Sequence, residues 1–290
     1  MELLLVDDGS TDGSGELAEQ LQQQDQRVRV IHTSNGGAAH ARNTGLDNAR
    51  GEWILFVDVD DLLSSNHISV LMETQKRHQA DMVVCSVEYR PGPTMRHKSC
   101  VCTGWEFIEK VLYRNGVADY PVGKLYRKEM FDGVRFVEGI TSEDFEIFYR
   151  LYQRAGCVAI TDEAAYYYIQ RDSSVSNSGF TEKFFNRIDI CQRLLNDIAK
   201  DRPELLPAAY SRVVDEAIWL YGILPANCHQ QLAWIYEAMD LYGKKVLRDP
   251  KATNRVKRKV RIFQIHPTLW TLRMKLKAWL IEAYSWRYRP

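Results

Sequence analysis

Residues 3–14 read LLLVDDGSTDGS, a short apolar run that ends in a dense cluster of turn-forming residues. The run is too short for a helix and is typical of a strand that stops at a turn. Helix, strand and helix patterns follow, and residues 53–57 (WILFV) form a third strand pattern that stops at DVDD, residues 58–61. Strands that alternate with helices predict parallel pairing through crossover connections. We therefore expect an open, mostly parallel α/β sheet.

The alternation continues to about residue 180, and helices are expected in the rest of the chain. Two further helix patterns and a strand pattern cover residues 66–113, and an amphipathic helix with an aromatic face is expected over residues 142–155. From Phe180 onward four or five helices are expected, with breaks near four prolines, Pro203, Pro225, Pro250 and Pro267. The pattern thus predicts an α/β region followed by a helical C-terminal region.

The composition is that of a globular protein, with 45% apolar and 26% charged residues among 290. The formal net charge of zero hides an asymmetry, because residues 244–290 carry fourteen Lys/Arg and two acidic residues, a net charge of +12. No apolar run approaches the ~20 residues of a membrane-spanning helix, and no signal-peptide pattern is present. Six cysteines without zinc-ligand spacing indicate thiols in a reducing compartment, so we expect a cytoplasmic location.

Two acidic clusters each follow directly after an apolar strand pattern. Asp7 and Asp8 end the first, and Asp58, Asp60 and Asp61 end the third. Ligands of open α/β sheets bind at the carboxyl ends of the strands, so both clusters are expected to face one crevice. Carboxylates separated by one residue can bind a hard divalent cation together with substrate phosphates. The alternative is that these aspartates only cap turns and helix starts.

Two other segments are candidates for a site. Gly36 and Gly37 precede a helix that carries Arg42, and small residues there allow a ligand to approach while the arginine pairs with a diphosphate. Glu143 and Asp144 begin the helix with the aromatic face. Acidic residues are favoured at any helix N-terminus, but a carboxylate in this position can also act as a general base.

Three motifs, taken in order, resemble those of the family 2 glycosyltransferases of the GT-A fold. They are VDDGSTDGS at residues 6–14, NGG-x3-ARN-x-G at residues 35–45 and FVDVDD at residues 56–61. A looser match continues to about residue 180 through GKLYR at residues 123–127 and SED at residues 142–144. The resemblance implies a Rossmann-like, mostly parallel GT-A domain. Its nucleotide-sugar-binding half would span residues 1–100 and its acceptor-binding half residues 101–180, followed by a helical region at residues 181–290.

The resemblance also implies roles for individual residues. The donor side would hold Asp7, Asp8, Arg42, Asp58, Asp60 and Asp61. Within that set, Asp58 and Asp60 would form the DxD pair that binds Mn²⁺ or Mg²⁺. Asp144 would be the catalytic base. The acceptor or diphosphate side would hold Lys124, Glu143, Gln170 and Arg171.

The implied reaction is transfer of a sugar, with inversion, from a nucleotide-sugar to a glycan or lipid-linked acceptor. A UDP-sugar is the expected donor, and bacterial surface polysaccharide synthesis is the expected setting. The chain differs from the family in one respect. Family members have a further strand and helix before the position that corresponds to Met1. Two explanations are open: a true start further upstream, or a non-catalytic nucleotide-binding fragment.

The basic tail, residues 251–290, has three interpretations. The stretches KRKVRIF (257–263) and WTLRMKLKAWLI (270–281) interleave cations with large apolar residues, which suits a helix on an anionic membrane surface. A peripheral location on the inner face of the plasma membrane would follow, and the chain could even be a membrane-binding module. The second interpretation is a solvated helical face packed on the acidic body. Nucleic acid is not expected as a partner, because no recognition fold accompanies the charge.

Overall fold

The computed structural model describes residues 1–92, 94–95, 98–170 and 180–268. The chain divides into two compact units. Unit 1 comprises the described residues of Met1–Val111 and Gly116–Ser174, and unit 2 comprises those of Leu112–Asn115 and Val175–Pro290. Arg171 and residues 269–290, two parts of the expectations above, lie outside the described residues.

The first sheet of unit 1 is a parallel pair. Strand β1 (Leu3–Asp7) lies beside β2 (Val28–His32), with Asp7 opposite His32, and helix α1 (Ser14–Gln24) connects them. The turn after β1 requires a glycine, because Gly9 has a φ of +76° and a Cβ there would lie 2.8 Å from the backbone nitrogen of Asn35. The expected strand–helix–strand crossover is confirmed for this pair.

The second sheet has seven strands: β3 (Trp53–Leu55), β4 (Leu62–Leu63), β5 (Met82–Arg90), β6 (Thr94–Met95), β7 (Cys100–Cys102), β8 (Lys124–Arg127) and β9 (Val158–Ile169). Five of them lie in the order β3-β8-β5-β9-β4, while β6 pairs with β5 and β7 pairs with β9. Four helices accompany the two sheets: α2 (Ala38–Asn48), α3 (His67–His78), α4 (Gly104–Leu112) and α5 (Glu143–Tyr152).

The expectation of a mostly parallel sheet is wrong for this second sheet. Only β5 and β9 pair in parallel, whereas β3–β8, β5–β8, β4–β9, β5–β6 and β7–β9 are antiparallel. Strands that alternate with helices predict parallel pairing only when strands that are consecutive in the chain are also adjacent in the sheet. Here β3 pairs with β8, which lies far from it along the chain.

The core of unit 1 lies between the second sheet and its helices. Side chains of β5, β8 and β9 bury Val83, Leu125 and Tyr166, and α3 contributes Leu71. Helix α5 has the predicted aromatic face, with every aromatic ring on it at most 4% exposed. Burial of each large apolar side chain contributes about 1.5–3 kcal/mol, so the aromatic face anchors α5 within unit 1.

Unit 2 is helical, as expected. Its α-helices are α6 (Asn186–Asp201), α7 (Leu206–Ile223), α8 (His229–Arg248) and α9 (Asn254–Ile265). Helix α9 buries Val256, Val260 and Phe263, which recur at helical spacing on one face. Helices α8 and α9 are in contact, because a Cβ added to Gly243 of α8 would lie 3.7 Å from a methyl carbon of Val260 of α9. No helix among the described residues of either unit is long and apolar enough to cross a bilayer.

Candidate active site

The acidic loop after β3 is held by one tyrosine. The hydroxyl of Tyr166 donates to Oδ2 of Asp61 at 2.6 Å and accepts from the backbone N–H of Asp58 at 3.1 Å. Oδ1 of Asp61 accepts from the backbone N–H of Ile169 at 2.8 Å. Burial raises the pKa of Asp61, and the hydrogen bonds from Tyr166 and Ile169 only partly offset this. Asp61 therefore anchors the loop, while the side chain of Val59 is fully exposed at its tip.

Arg42 joins the acidic loop to helix α5. Its Nη2 donates to Oδ1 of Asp58 at 3.1 Å, and its Nη1 donates to Oε1 of Glu143 at 2.7 Å. The Arg42 side chain is only 14% exposed and lies over the ring of Phe136, 5.6 Å from its centroid. Burial alone would lower the pKa of Arg42, but the attraction of Asp58 and Glu143 outweighs burial and raises it. Three predicted site residues from three elements thus meet at one point.

Asp144 lies next to Glu143 in the first turn of α5. One of its carboxylate oxygens, Oδ1, accepts from the backbone N–H of Phe145 at 2.7 Å. The first turn of a helix favours the ionised carboxylate, because its N–H groups and dipole are positive. Arg42, by pairing with the neighbouring Glu143, connects this turn to the acidic loop.

Lys124, on β8, is buried at 2% exposure. Its ammonium donates to the carbonyl of Tyr120 at 2.6 Å and lies over the Tyr120 ring. Burial lowers the pKa of Lys124 to about 8, against the opposing attraction of Asp119 and Asp144. Lys124 therefore supplies a cation to the surroundings of Asp144 rather than an exposed phosphate ligand.

The first acidic pair lies at the end of β1. Asp8 accepts from the backbone N–H groups of Gly36 and Gly37, at 3.0 and 2.6 Å, so these glycines bind a carboxylate of the chain itself. Asp7 accepts from the backbone N–H of Ser10 and contacts Nδ1 of His32, each at 2.9 Å. The hydrogen bonds from Ser10 and then His32 lower the pKa of Asp7 to about 2. Asp7 is therefore a carboxylate at neutral pH.

Gln170, expected on the acceptor or diphosphate side, directly follows β9. Its backbone N–H donates to the carbonyl of Arg90 at 2.9 Å, and the residue is exposed. The structure does not bring its side chain to the groups around Arg42. Its predicted role remains a prediction.

The described residues contain no group of three or more His, Cys, Asp or Glu side chains that could hold a metal ion. Mg²⁺ and Mn²⁺ are often held by only one or two carboxylates together with substrate phosphates. Asp60 is partly exposed in the loop, and Asp58 is 38% exposed while one of its oxygens accepts from Arg42. This pair of carboxylates fits a metal site that the substrate completes. It does not fit a site built from protein ligands alone.

Tyr166 is a residue that sequence patterns do not single out, although it holds the loop. His67 is another, since its ring packs edge-on against Tyr166 at 6.4 Å between centroids. Nδ1 of His67 lies 3.0 Å from the carbonyl of Ala165, and Nε2 is buried without a partner among the described residues. Tyr166 lies within a strand and His67 at a helix start, and neither position carries a sequence signal for this contact.

Acidification is expected to destabilise the fold through His67. Burial lowers the pKa of His67, so the unfolded chain binds the proton more readily and stability falls as pH drops below the ordinary value of 6.5. The loss is at most about 1.4 kcal/mol per pH unit. His67→Phe, which preserves a planar ring, should show a smaller difference in free energy of unfolding between pH 7.5 and pH 5.5 in urea titrations. An unchanged pH dependence would contradict this, and His32, whose pKa is raised, is common to both proteins.

Comparison with known proteins agrees with this architecture. Residues 1–135 match the family model described as Glycosyl transferase family 2. In solved structures, the chain is similar to Staphylococcus aureus TarS 1–349 in complex with UDP-GlcNAc, with a TM-score of 0.68 and 18% identity over 93% of this chain and 79% of that one. The α/β fold of GT-A type with a helical C-terminal region is therefore confirmed. Residues 1–135 are similar to a glycosyl transferase family 2 domain.

Curated relatives point the same way. The chain is 34% identical over 196 residues to glycosyltransferase GlyG of Streptococcus pneumoniae serotype 4, covering 62% of this chain and 64% of that protein. It is 35% identical over 187 residues to the uncharacterized glycosyltransferase EpsJ of Bacillus subtilis, covering 61% of this chain and 54% of that protein. The chain thus spans less than two thirds of the length of these relatives.

Proposed function

We propose that this chain transfers a sugar, with inversion, from a nucleotide-sugar to a hydroxyl of a glycan or lipid-linked acceptor. The observation that carries the proposal is the double ion pair of Arg42. It joins Asp58, in the loop expected to bind the donor diphosphate, to Glu143, the neighbour of the expected base Asp144. A group-transfer site needs both parts within reach of one substrate, and this contact supplies that proximity.

The residues have separate roles in this proposal. Asp7 and Asp8 lie against the nucleoside, and Asp58 and Asp60 would hold Mn²⁺ or Mg²⁺. When bound, such a cation would supply positive charge to offset the negative charge of the diphosphate leaving group. Asp144 accepts the proton of the acceptor hydroxyl, whose oxygen bonds to the anomeric carbon as the bond from that carbon to the diphosphate oxygen breaks. Attack from the face opposite the leaving group inverts the configuration.

A UDP-sugar is the proposed donor. The TarS structure to which this chain is similar contains UDP-GlcNAc, which makes uridine diphosphate the first nucleotide to test. We place the reaction in bacterial surface polysaccharide assembly, at the cytoplasmic side of the membrane. A lipid-linked acceptor would be found there.

The test is a calorimetric titration of UDP into the full chain with Mn²⁺ present. Binding is expected, and Asp60→Ala should weaken it at least about tenfold, since one lost cation ligand removes 1.4 kcal/mol or more. Asp197→Ala is the matched control, because Asp197 is an exposed carboxylate on α6, in the other unit. Its affinity should equal that of the unmodified chain.

Two results would count against the proposal. One is absence of UDP binding by the unmodified chain, which would remove the donor-site assignment. The other is equal affinity in Asp60→Ala, which would place the nucleotide elsewhere. Equal affinity with and without Mn²⁺ would retain the donor site and remove only the metal.

A further inference from the structure

Helix α9 presents two different faces. Val256, Val260 and Phe263 are buried on one of them, and this face attaches the helix to unit 2. Residues at the opposite positions of the helix are exposed, among them Arg258, Arg261 and Ile265. Their spacing of three and then four residues places these three side chains in one row along the helix. We call this row and its flanking cations the α9 outer face.

Within the described part of the chain, the cations of the α9 outer face have no acidic partner. Arg255, Lys257, Arg258 and Arg261 form no ion pair or side-chain hydrogen bond with any residue in the described part of the chain. Lys259 is the contrast, because it turns inward and pairs with the buried carboxylate of Asp215. The helix itself contains no acidic residue. If the cations of α9 served only to balance acidic residues elsewhere in the chain, we would expect more of them to form ion pairs.

An apolar side chain accompanies these cations. Ile265 is 75% exposed at the end of the row, and Ile262 is partly exposed beside it. Lys244 and Arg248, at the end of the preceding helix, are exposed cations as well. Cations together with a protruding apolar side chain match the interface of an anionic bilayer, where charges meet head groups and apolar groups enter the acyl boundary. A soluble polyanion would use the charges and leave the isoleucine in water.

We propose that the α9 outer face binds the surface of a membrane rich in anionic phospholipid. The occupant is the head-group layer of the bilayer, and the attraction is electrostatic with a small apolar contribution. Residues 269–290 follow directly, and their sequence adds five Lys/Arg against one acidic residue. This proposal names the surface of the chain that would contact the membrane at the location proposed above. It does not depend on sugar transfer.

The test is sedimentation of the full chain with vesicles of phosphatidylcholine containing phosphatidylglycerol, beside vesicles of phosphatidylcholine alone. Binding is expected only to the anionic vesicles and should weaken with added salt. Arg258→Ala/Arg261→Ala should weaken it about 25-fold, since each cation near an anionic surface contributes about fivefold. Lys76→Ala/Lys200→Ala is the matched control, because it removes the same charge from exposed positions on α3 and α6. Ile265→Ser should weaken binding by a smaller factor.

Several outcomes would overturn the proposal. They are equal binding to both kinds of vesicle, unchanged binding in the α9 double variant, or an equal loss in the control double variant. Full competition by a soluble DNA duplex, with no effect of Ile265→Ser, would assign the face to a polyanion instead. UDP titration of the same protein samples keeps this test separate from that of the donor site, since neither arginine lies in unit 1.

Discussion

Asp144→Asn is expected to lower the turnover of sugar transfer by about 10²–10⁴-fold, the range that a positioned general base contributes. The substitution keeps the size of the side chain and the oxygen that accepts from the N–H of Phe145. It removes the ability to accept a proton. Because the ion pairs of Arg42 with Asp58 and Glu143 are untouched, donor affinity should stay within about twofold of the unmodified value. Initial rates and UDP titrations, measured on the same samples, separate the two quantities.

The pH profile gives this prediction a second readout. A carboxylate base must be ionised, so the rate of the unmodified chain should fall on the acidic side, and the residual rate of Asp144→Asn should lose that limb. Asp132→Asn, an exposed aspartate of the same unit, is the control and should keep both rate and profile. Retention of more than about a tenth of the turnover by Asp144→Asn would assign the base to another group. Glu143 is then the next candidate, although one of its oxygens already accepts from Arg42.

Much of this site can be predicted from the sequence, because its carboxylates follow apolar strands. Asp58 and Asp60 lie in a loop because a strand must end there, and Glu143 and Asp144 lie in a first helical turn because an amphipathic helix begins there. The contact of Arg42 with Asp58 and Glu143, however, depends on the tertiary structure. Spacing along the chain says nothing about contacts between residues 42 and 143.

The roles within the acidic cluster are also beyond sequence reasoning. Asp58, Asp60 and Asp61 are equivalent in a motif, yet Asp61 is buried and bound by Tyr166, whereas Asp58 pairs with Arg42. Which aspartate turns inward depends on a strand about a hundred residues later in the chain. The antiparallel pairing of β3 with β8 escapes prediction for the same reason, since it joins segments that no local pattern connects.

Unit 2 contains a buried ionic cluster that no sequence pattern indicates. Glu216 is 1% exposed and pairs with Arg114 at 2.6 Å, with Arg187 at 2.5 Å and with Arg212 at 3.1 Å. Only the Arg212–Glu216 pair has a local signature, the i,i+4 spacing on α7. The other two arginines come from different segments of the unit. Burial would raise the pKa of Glu216, but the three guanidinium groups outweigh burial and lower it.

Glu216→Ala is therefore expected to destabilise unit 2 by about 3–5 kcal/mol, the cost of leaving buried partners without a counter-charge. Glu204→Ala is the control, since it removes an exposed carboxylate whose pair with Arg202 is worth less than about 1 kcal/mol. Urea unfolding followed by helical circular dichroism measures both. The contribution of Glu216 is present above the ordinary glutamate pKa of 4.5 and is lost as pH falls below it, so the difference between Glu216→Ala and the unmodified chain should shrink in acid. A loss at pH 7 no larger than that of Glu204→Ala would show that water or rearranged side chains satisfy the arginines, and the cluster would then contribute little to stability.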